Sequence, residues 1–465
     1  MRTLIRRVNS GKNVISNKKI GSAIFLLVAV YWIVLGWKLA PGGPFYHPSF
    51  IGPMESMNSS MFWKPMDFGS YQRFSPTSFV PVYLLDRYLV APLSGVSGIT
   101  DPRFLRASRM RPFFYAGFAL LAVGVYALAL ELGLGAPAAI FAGLYVGFHK
   151  GFSYFLQNIS TLSVILMLFY ALGACFSLLT YVRGGSRTAL AAFILLLLLT
   201  AGSWEMWMDF CLILIFSGIV VWRLRPELAR RIIPAAVVYP GILLGVYFLM
   251  RFPAARGEFT GATEAQFFFS YPSVIMMFEE MAANLSLHVM DCFDSAFFPW
   301  PTLSFSVFHR INMDSLNTYN AIYTSQPSII YRAFAVWYAG GFFVAYLAAL
   351  VYILLKMIRS IGLNNPGRGM KMAVPAIAIT AVTLGCAIHL PIMHRTYYLM
   401  PGYFMTYSHL FSLLGAAIFL AWTLRKFVLP LDPERALAAA MIASGWVAFC
   451  NASKVVLSRG MQFPW

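Results

Sequence analysis

Residues 20–37 read IGSAIFLLVAVYWIVLGW, without one charged side chain, and they follow a segment carrying Arg2, Arg6, Arg7, Lys12, Lys18 and Lys19. A run of this length matches the ~20 residues that an α-helix needs to cross a bilayer core of ~30 Å. It is too long for the apolar core of a cleaved leader, and no small-residue cleavage site follows. It reads as a retained anchor whose basic flank stays inside. One such run would leave room for a soluble domain, but the pattern recurs down the chain.

Of the 465 residues, 59% are hydrophobic and 11% charged, and the mean hydropathy is +0.70. Globular chains average about 45–50% apolar and about 25% charged residues. So few charges cannot clothe so much apolar side chain in water, which excludes a soluble enzyme. Uncharged length predicts about eleven spans, at roughly 20–39, 112–134, 136–155, 161–182, 188–204, 208–224, 232–250, 333–355, 372–391, 399–422 and 436–456. In 136–182, His149 and Lys150 interrupt the apolar stretch and mark a break or a re-entrant segment.

The 35 Lys and Arg against 17 Asp and Glu leave a net charge of +18. In a soluble protein that excess would point to nucleic acid. Here the bases cluster in the short turns 183–187, 223–231, 356–371 and 423–435. With the N-terminus, these hold 19 of the 35 basic residues. Such a bias sets the basic turns inside and the remaining acids outside. The expected architecture is therefore an all-α, polytopic integral membrane protein with its N-terminus inside. It forms a single transmembrane domain over 1–465, multi-pass in the inner cell membrane, with membrane lipids as partners and no nucleic acid. The five cysteines form no CxxC pair, so neither a disulfide framework nor a zinc site is expected.

Two outer loops, 40–111 and 251–332, are far longer than the other connections, and connections of that size usually carry function. In the first, Val82, Leu85 and Leu89 share a helical face; in the second, Val274, Phe278, Met281, Leu285 and Val289 do so. Both stretches, 78–90 and 273–290, are expected as helices lying in the outer interface. No Asp, Glu, Lys or Arg falls in the middle of a span, and His409 is the one ionisable residue well inside. Ion-coupled transporters usually carry such groups near the midplane, so their absence argues against that class. Charged residues gather at the outer mouth instead: Glu55, Asp67 and Arg73, then Glu205 and Asp209, then Arg251, then His394 and Arg395.

Three short segments carry a resemblance. Met66-Asp67-Phe68-Gly69-Ser70-Tyr71-Gln72-Arg73-Phe74-Ser75-Pro76, followed by Val82-Tyr83-Leu84-Leu85, looks like an acid, a short gap, a basic–Phe–x–Pro element and an aromatic helix. Ser203-Trp204-Glu205 looks like a small residue and an acid opening a later span. His394-Arg395-Thr396-Tyr397-Tyr398-Leu399-Met400-Pro401 looks like a basic–Tyr–Leu–x–Pro segment opening a late one. This set resembles polytopic glycosyltransferases of the C-type fold, whose catalytic loop lies between the first two spans. The first loop here has no acidic pair, where such enzymes carry one or two acids.

The resemblance implies transfer of a sugar from a polyprenyl-phosphate donor to a glycan, lipid or protein acceptor at the outer face. That reaction needs a carboxylate to take the acceptor proton, cations for the departing phosphate and a groove for the polyprenyl tail. Asp67 is the first candidate for the base and Glu55 the second; their bland alternatives are a helix cap and a solvated loop acid. Arg73, His394 and Arg395 are candidates for the phosphate, or else anchors at the headgroup level. Glu205 and Asp209, one helical turn apart, suit an acceptor or a divalent metal, though polarity at a span end accounts for them equally well. Trp63, Trp204, Trp207, Tyr397 and Tyr398 are candidates for sugar stacking within what is mostly an aromatic belt. Beyond the lipid-linked donor, a divalent metal is the one further cofactor left open. Two other classes stay open: a transporter or flippase of a lipid-linked saccharide, and a non-catalytic membrane scaffold.

Overall fold

A computed structural model of the chain describes residues 11–39, 66–67, 72–73, 76–85, 88–89, 102–152, 162–203, 206–254, 274–294, 297, 329–362, 366–387, 390 and 406–460. Apart from one antiparallel pair of two-residue strands, β1 (Met66–Asp67) and β2 (Gln72–Arg73), the described elements are helices. In chain order they are α1 (Gly11–Leu39), α2 (Pro76–Leu85), α3 (Pro102–Glu131), α4 (Ala136–Gly147), α5 (Leu162–Gly184), α6 (Arg187–Ala201) and α7 (Trp207–Leu224). There follow α8 (Tyr239–Ala254), α9 (Val274–Phe293), α10 (Ile329–Gly362), α11 (Pro366–Leu384), α12 (Thr406–Val428) and α13 (Pro433–Gly460). A short 3₁₀ turn at Pro226–Leu228 and a π segment at Ile233–Val238 lead from α7 into α8.

Eight of these stretches are long and apolar enough to cross a membrane: Lys18–Gly36, Met110–Glu131, Leu162–Gly184, Trp207–Leu224, Pro226–Tyr247, Gly340–Arg359, Leu410–Val428 and Pro433–Lys454. Three shorter apolar helices, Ala136–Gly147, Arg187–Ala201 and Met372–Leu384, fall where sequence predicts further spans. The architecture is that of a multi-pass, all-helical membrane protein.

Helices α1 and α3 run antiparallel, whereas α3 and α5 run parallel, and the basic turns 183–187 and 223–231 meet at one end. Gly21 of α1 faces Val123 of α3, while Gly36 faces Tyr115. Arg183 pairs with Glu131 across the α3 and α5 ends and also donates to its backbone oxygen at 2.8 Å. Arg231 reaches the Val182 carbonyl at 3.1 Å, which joins the turn after α7 to the turn after α5. This end is the basic face of the molecule.

Helix α4 departs from a regular span. Pro137 suits its first turn, and it stops after twelve residues, about 18 Å at 1.5 Å per residue. Two small residues one turn apart let it sit deep in the bundle. A Cβ on Gly143 would meet the Ala122 carbonyl oxygen at 2.6 Å, and one on Gly147 would meet Val28 at 2.6 Å. Glycine is therefore demanded by the close approach of backbones, the usual device where apolar lipid supplies no hydrophobic drive between helices. The same packing buries Trp32, Phe118 and Phe152 together as an aromatic cluster.

Helices stand in both long loops, but α2 ends at Leu85, short of the expected 78–90, and is apolar on all sides, with Val82 buried and Leu84 exposed; α9 covers the second expected stretch. Helix α9 differs from a purely interfacial helix along its length. Its apolar residues Val274, Ile275 and Phe278 are exposed, whereas residues 288–294 are all buried. Val289, Cys292 and Phe293 pack with Tyr346, Ile379 and Ala416 of α10, α11 and α12. Phe293 lies against both Tyr346 and Phe419, with ring centroids 6.4 and 6.3 Å away. The C-terminal third of α9 thus enters the bundle instead of lying on it.

Candidate functional site

Two polar constellations emerge at the end of the bundle away from the basic face. The first is built on the hairpin of the first long loop. The strands pair Met66 with Arg73 and Asp67 with Gln72. Asp67 and Arg73 therefore stand on adjacent antiparallel strands, at diagonal positions whose side chains alternate between the two faces of the ribbon. Three residues after β2, α2 begins, and it is fastened to the frame by neutral groups.

Thr77 N–H donates to the Gly202 carbonyl at 3.2 Å and its hydroxyl to the Leu199 carbonyl at 2.6 Å. The Thr77 and Ser203 hydroxyls are 3.0 Å apart, and Tyr170 O–H donates to the Thr77 carbonyl at 3.1 Å. The last carbonyls of a helix have no partner within it, so the end of α6 offers Leu199 and Gly202 as acceptors. Gly202 also makes room, because a Cβ there would stand 2.7 Å from Thr77 Cγ2.

The second constellation was not expected from the sequence, which shows no charge in the middle of a span. Lys150 follows the broken end of α4 and is buried with Asp291, Asp294 and Lys454. Its ammonium lies 2.7 Å from Asp291 and 3.3 Å from Asp294, and Lys454 lies 2.9 Å from the other Asp294 oxygen. The order Asp291–Lys150–Asp294–Lys454 alternates in sign and balances in charge.

Hydrogen bonds hold the backbone around it. Lys150 N–H donates to Asn451 Oδ1 at 2.8 Å, and the Asn451 amide donates to the Val447 carbonyl at 2.9 Å. His149 Nδ1 accepts from Gly151 N–H at 3.2 Å, which leaves Nε2 to donate to the Asp291 carbonyl at 3.4 Å. Tyr145 O–H donates to the Cys292 carbonyl. Trp32 Nε1 donates to the Gly147 carbonyl at 2.6 Å, so the end of α4 is capped from α1. Trp32 lies about 20 Å along α1 from Lys18, roughly two-thirds of a ~30 Å bilayer core. The charges are therefore inside the bundle at membrane depth, which corrects the picture of an uncharged interior. Asp291 in the last turn of α9 and Asp294 just after it supply the acids, and the interrupted stretch at 149–150 supplies the central base.

The other expected site residues divide into two groups. Asp209 opens α7 and is fully buried, within electrostatic reach of Cys386 and beside the stacked pair Phe210–Phe411. Trp207 is packed edge-on against Tyr247 at 5.4 Å, so its ring faces belong to the core. Glu55, Glu205, His394, Arg395 and Tyr397 lie outside the described residues, as do Trp63, Trp204 and Tyr398. Among the described residues, no three His, Cys, Asp or Glu side chains are grouped to hold a metal ion. Comparison of the chain with known families and with characterised proteins gives no match.

The first constellation sets an acid and a base on adjacent strands of one hairpin, each opposite another residue. The second is closed by its own ion pairs and serves to hold three segments together. Its signal in the sequence is two acids three residues apart inside LSLHVMDCFDSAFF, an otherwise apolar stretch.

Proposed function

We propose that this protein is an integral-membrane glycosyltransferase that moves a sugar from a polyprenyl-phosphate donor to an acceptor at the outer face. The observation that supports this reading is the antiparallel hairpin, which brings Asp67 and Arg73 onto neighbouring strands, at diagonal positions of its register, just before a helix docked on the bundle. In the reaction, the Asp67 carboxylate takes the proton of the acceptor hydroxyl as its oxygen bonds to the anomeric carbon. The bond from that carbon to the phosphate oxygen breaks, and the electron pair leaves with the polyprenyl phosphate. Arg73 offsets the charge of that phosphate. A single displacement of this kind inverts the anomeric centre. Arg395 and His394 are further candidates for the phosphate, and Glu205 and Asp209 for the acceptor.

The test uses full-length protein in proteoliposomes with radiolabelled polyprenyl-phosphate hexoses and pentoses. Asp67→Asn should cut transfer by on the order of 10²–10⁴ while binding of polyprenyl phosphate, read by native mass spectrometry, persists. Transfer at the parental rate removes Asp67 from the chemistry. Orientation is tested by maleimide labelling from outside, which should reach a cysteine placed within 251–332 and miss one within 223–231. None of the five native cysteines is exposed, so the background is low.

A second reading, movement of a lipid-linked saccharide across the membrane, is favoured by the buried charges at the end of the half-length helix α4. Broken helices and buried ionisable groups are features of transporter sites. Transbilayer movement of a labelled polyprenyl-linked saccharide without sugar transfer would select it.

A further inference from the structure

We infer that Lys356 and Lys426 form a headgroup site for an anionic phospholipid on the basic face, a function separate from sugar transfer. Both residues lie near the C-terminal ends of their helices, α10 and α12, and both are turned back along the helix. The Lys356 ammonium donates to the Tyr352 hydroxyl at 3.1 Å and lies 5.2 Å from that ring's centroid. The Lys426 ammonium lies 3.7 Å from the centroid of the Trp422 ring. Helical side chains lean toward the N-terminus, and here that direction leads away from the basic face and into the membrane. A lysine at a span end usually does the opposite, extending its charge to water. These two instead hold their charges back along their helices, against aromatic faces that favour a cation.

The two ammonium groups are within electrostatic reach of each other. Like charges on neighbouring helices repel, and a phosphodiester between them would offset that repulsion. The surroundings identify the source as a lipid and not free phosphate. Ala345, Ala348 and Tyr352 run up the Lys356 face of α10 with exposed side chains, and Phe427 is exposed beside Lys426. Acyl chains have an apolar track leading directly from the charged pair.

The experiment is native mass spectrometry of the full-length protein titrated with short-chain phosphatidylglycerol, with phosphatidylcholine as the neutral comparison. Phosphatidylglycerol should be retained preferentially, and Lys356→Gln with Lys426→Gln should lower its apparent affinity at least about tenfold. Arg435→Gln, on the same face but paired with Asp432, should leave the affinity unchanged. Equal retention of the two lipids, or an unaltered affinity in the double variant, overturns the assignment. Displacement of the lipid by millimolar inorganic phosphate also overturns it, in favour of a free-anion site. If the double variant does not fold, Lys426→Glu alone carries the test, and unaltered affinity there has the same consequence.

Discussion

Helix α2 of the first long loop is held to the frame by Thr77, Ser203, Tyr170 and backbone carbonyls, all of them neutral. The end of α9 in the second is held by Asp291 and Asp294 against Lys150 and Lys454, all of them charged. Both attachments lie at the same end of the bundle, yet they respond differently to a single change. Each hydrogen bond in the neutral attachment is worth about 0.5–1.5 kcal/mol net, because its partners also bond to water when the loop is free. A buried ion pair gains little over an apolar pair of the same shape, but removing one partner strands a charge and costs about 3–5 kcal/mol. The neutral attachment is therefore graded, and the charged one is all-or-none.

The largest effect should follow Lys150→Met, which leaves two carboxylates facing Lys454 alone. A loss of about 3–5 kcal/mol is expected, with 251–332 becoming sensitive to protease while 40–111 stays protected. Adding Asp291→Leu should restore a good part of that stability, since the remaining Asp294–Lys454 pair is balanced. Thermal unfolding in detergent measures both; a silent Lys150→Met would mean that the charges do not fasten α9.

Gly202→Val tests the neutral side by crowding, because its Cβ would stand 2.7 Å from Thr77 Cγ2. Overpacking of this kind costs about 1–3 kcal/mol. The variant should loosen the first loop and reduce any sugar transfer while leaving the second loop's protease resistance unchanged. Loss of protection in both loops would show that the two attachments act as one.

Trp32→Phe keeps an aromatic in the buried site but removes the donor to the Gly147 carbonyl. An unsatisfied buried acceptor costs about 1–3 kcal/mol, and the effect should appear on the second loop, since α4 carries Lys150 into place. Thr77→Val should be the mildest, at about 1 kcal/mol, and confined to the first loop. Salt sharpens the contrast between buried and surface ion pairs: the Arg435–Asp432 pair is exposed and screened at a Debye length of about 8 Å, whereas the Lys150 network is buried. Raising ionic strength should leave the protease resistance of the second loop unchanged. A steep loss would place those charges in contact with water.

Much of the frame is legible in one dimension. Eight apolar runs stand as helices long enough to cross, whereas the run at 136–155 gives a helix only over Ala136–Gly147, and the period of Val274, Phe278, Met281, Leu285 and Val289 marks α9 correctly. The candidate chemistry at Asp67 and Arg73 is legible because both residues lie within a few positions of each other. The charged attachment is not, since Lys150 meets Asp294 across 144 residues, and each charge looks alone along the chain.

The amino-acid sequence by itself determined that this chain lives in a membrane and which loop ends carry its positive charge. These follow from local sums of transfer free energy, which depend on composition over about 20 residues and not on partners. Only the tertiary structure decided that α4 stops short, that Trp32 caps it, and that α9 turns from the surface into the bundle. A buried charge is tolerated only where an opposite charge and hydrogen bonds meet it. Whether they do is a property of three segments converging at one depth.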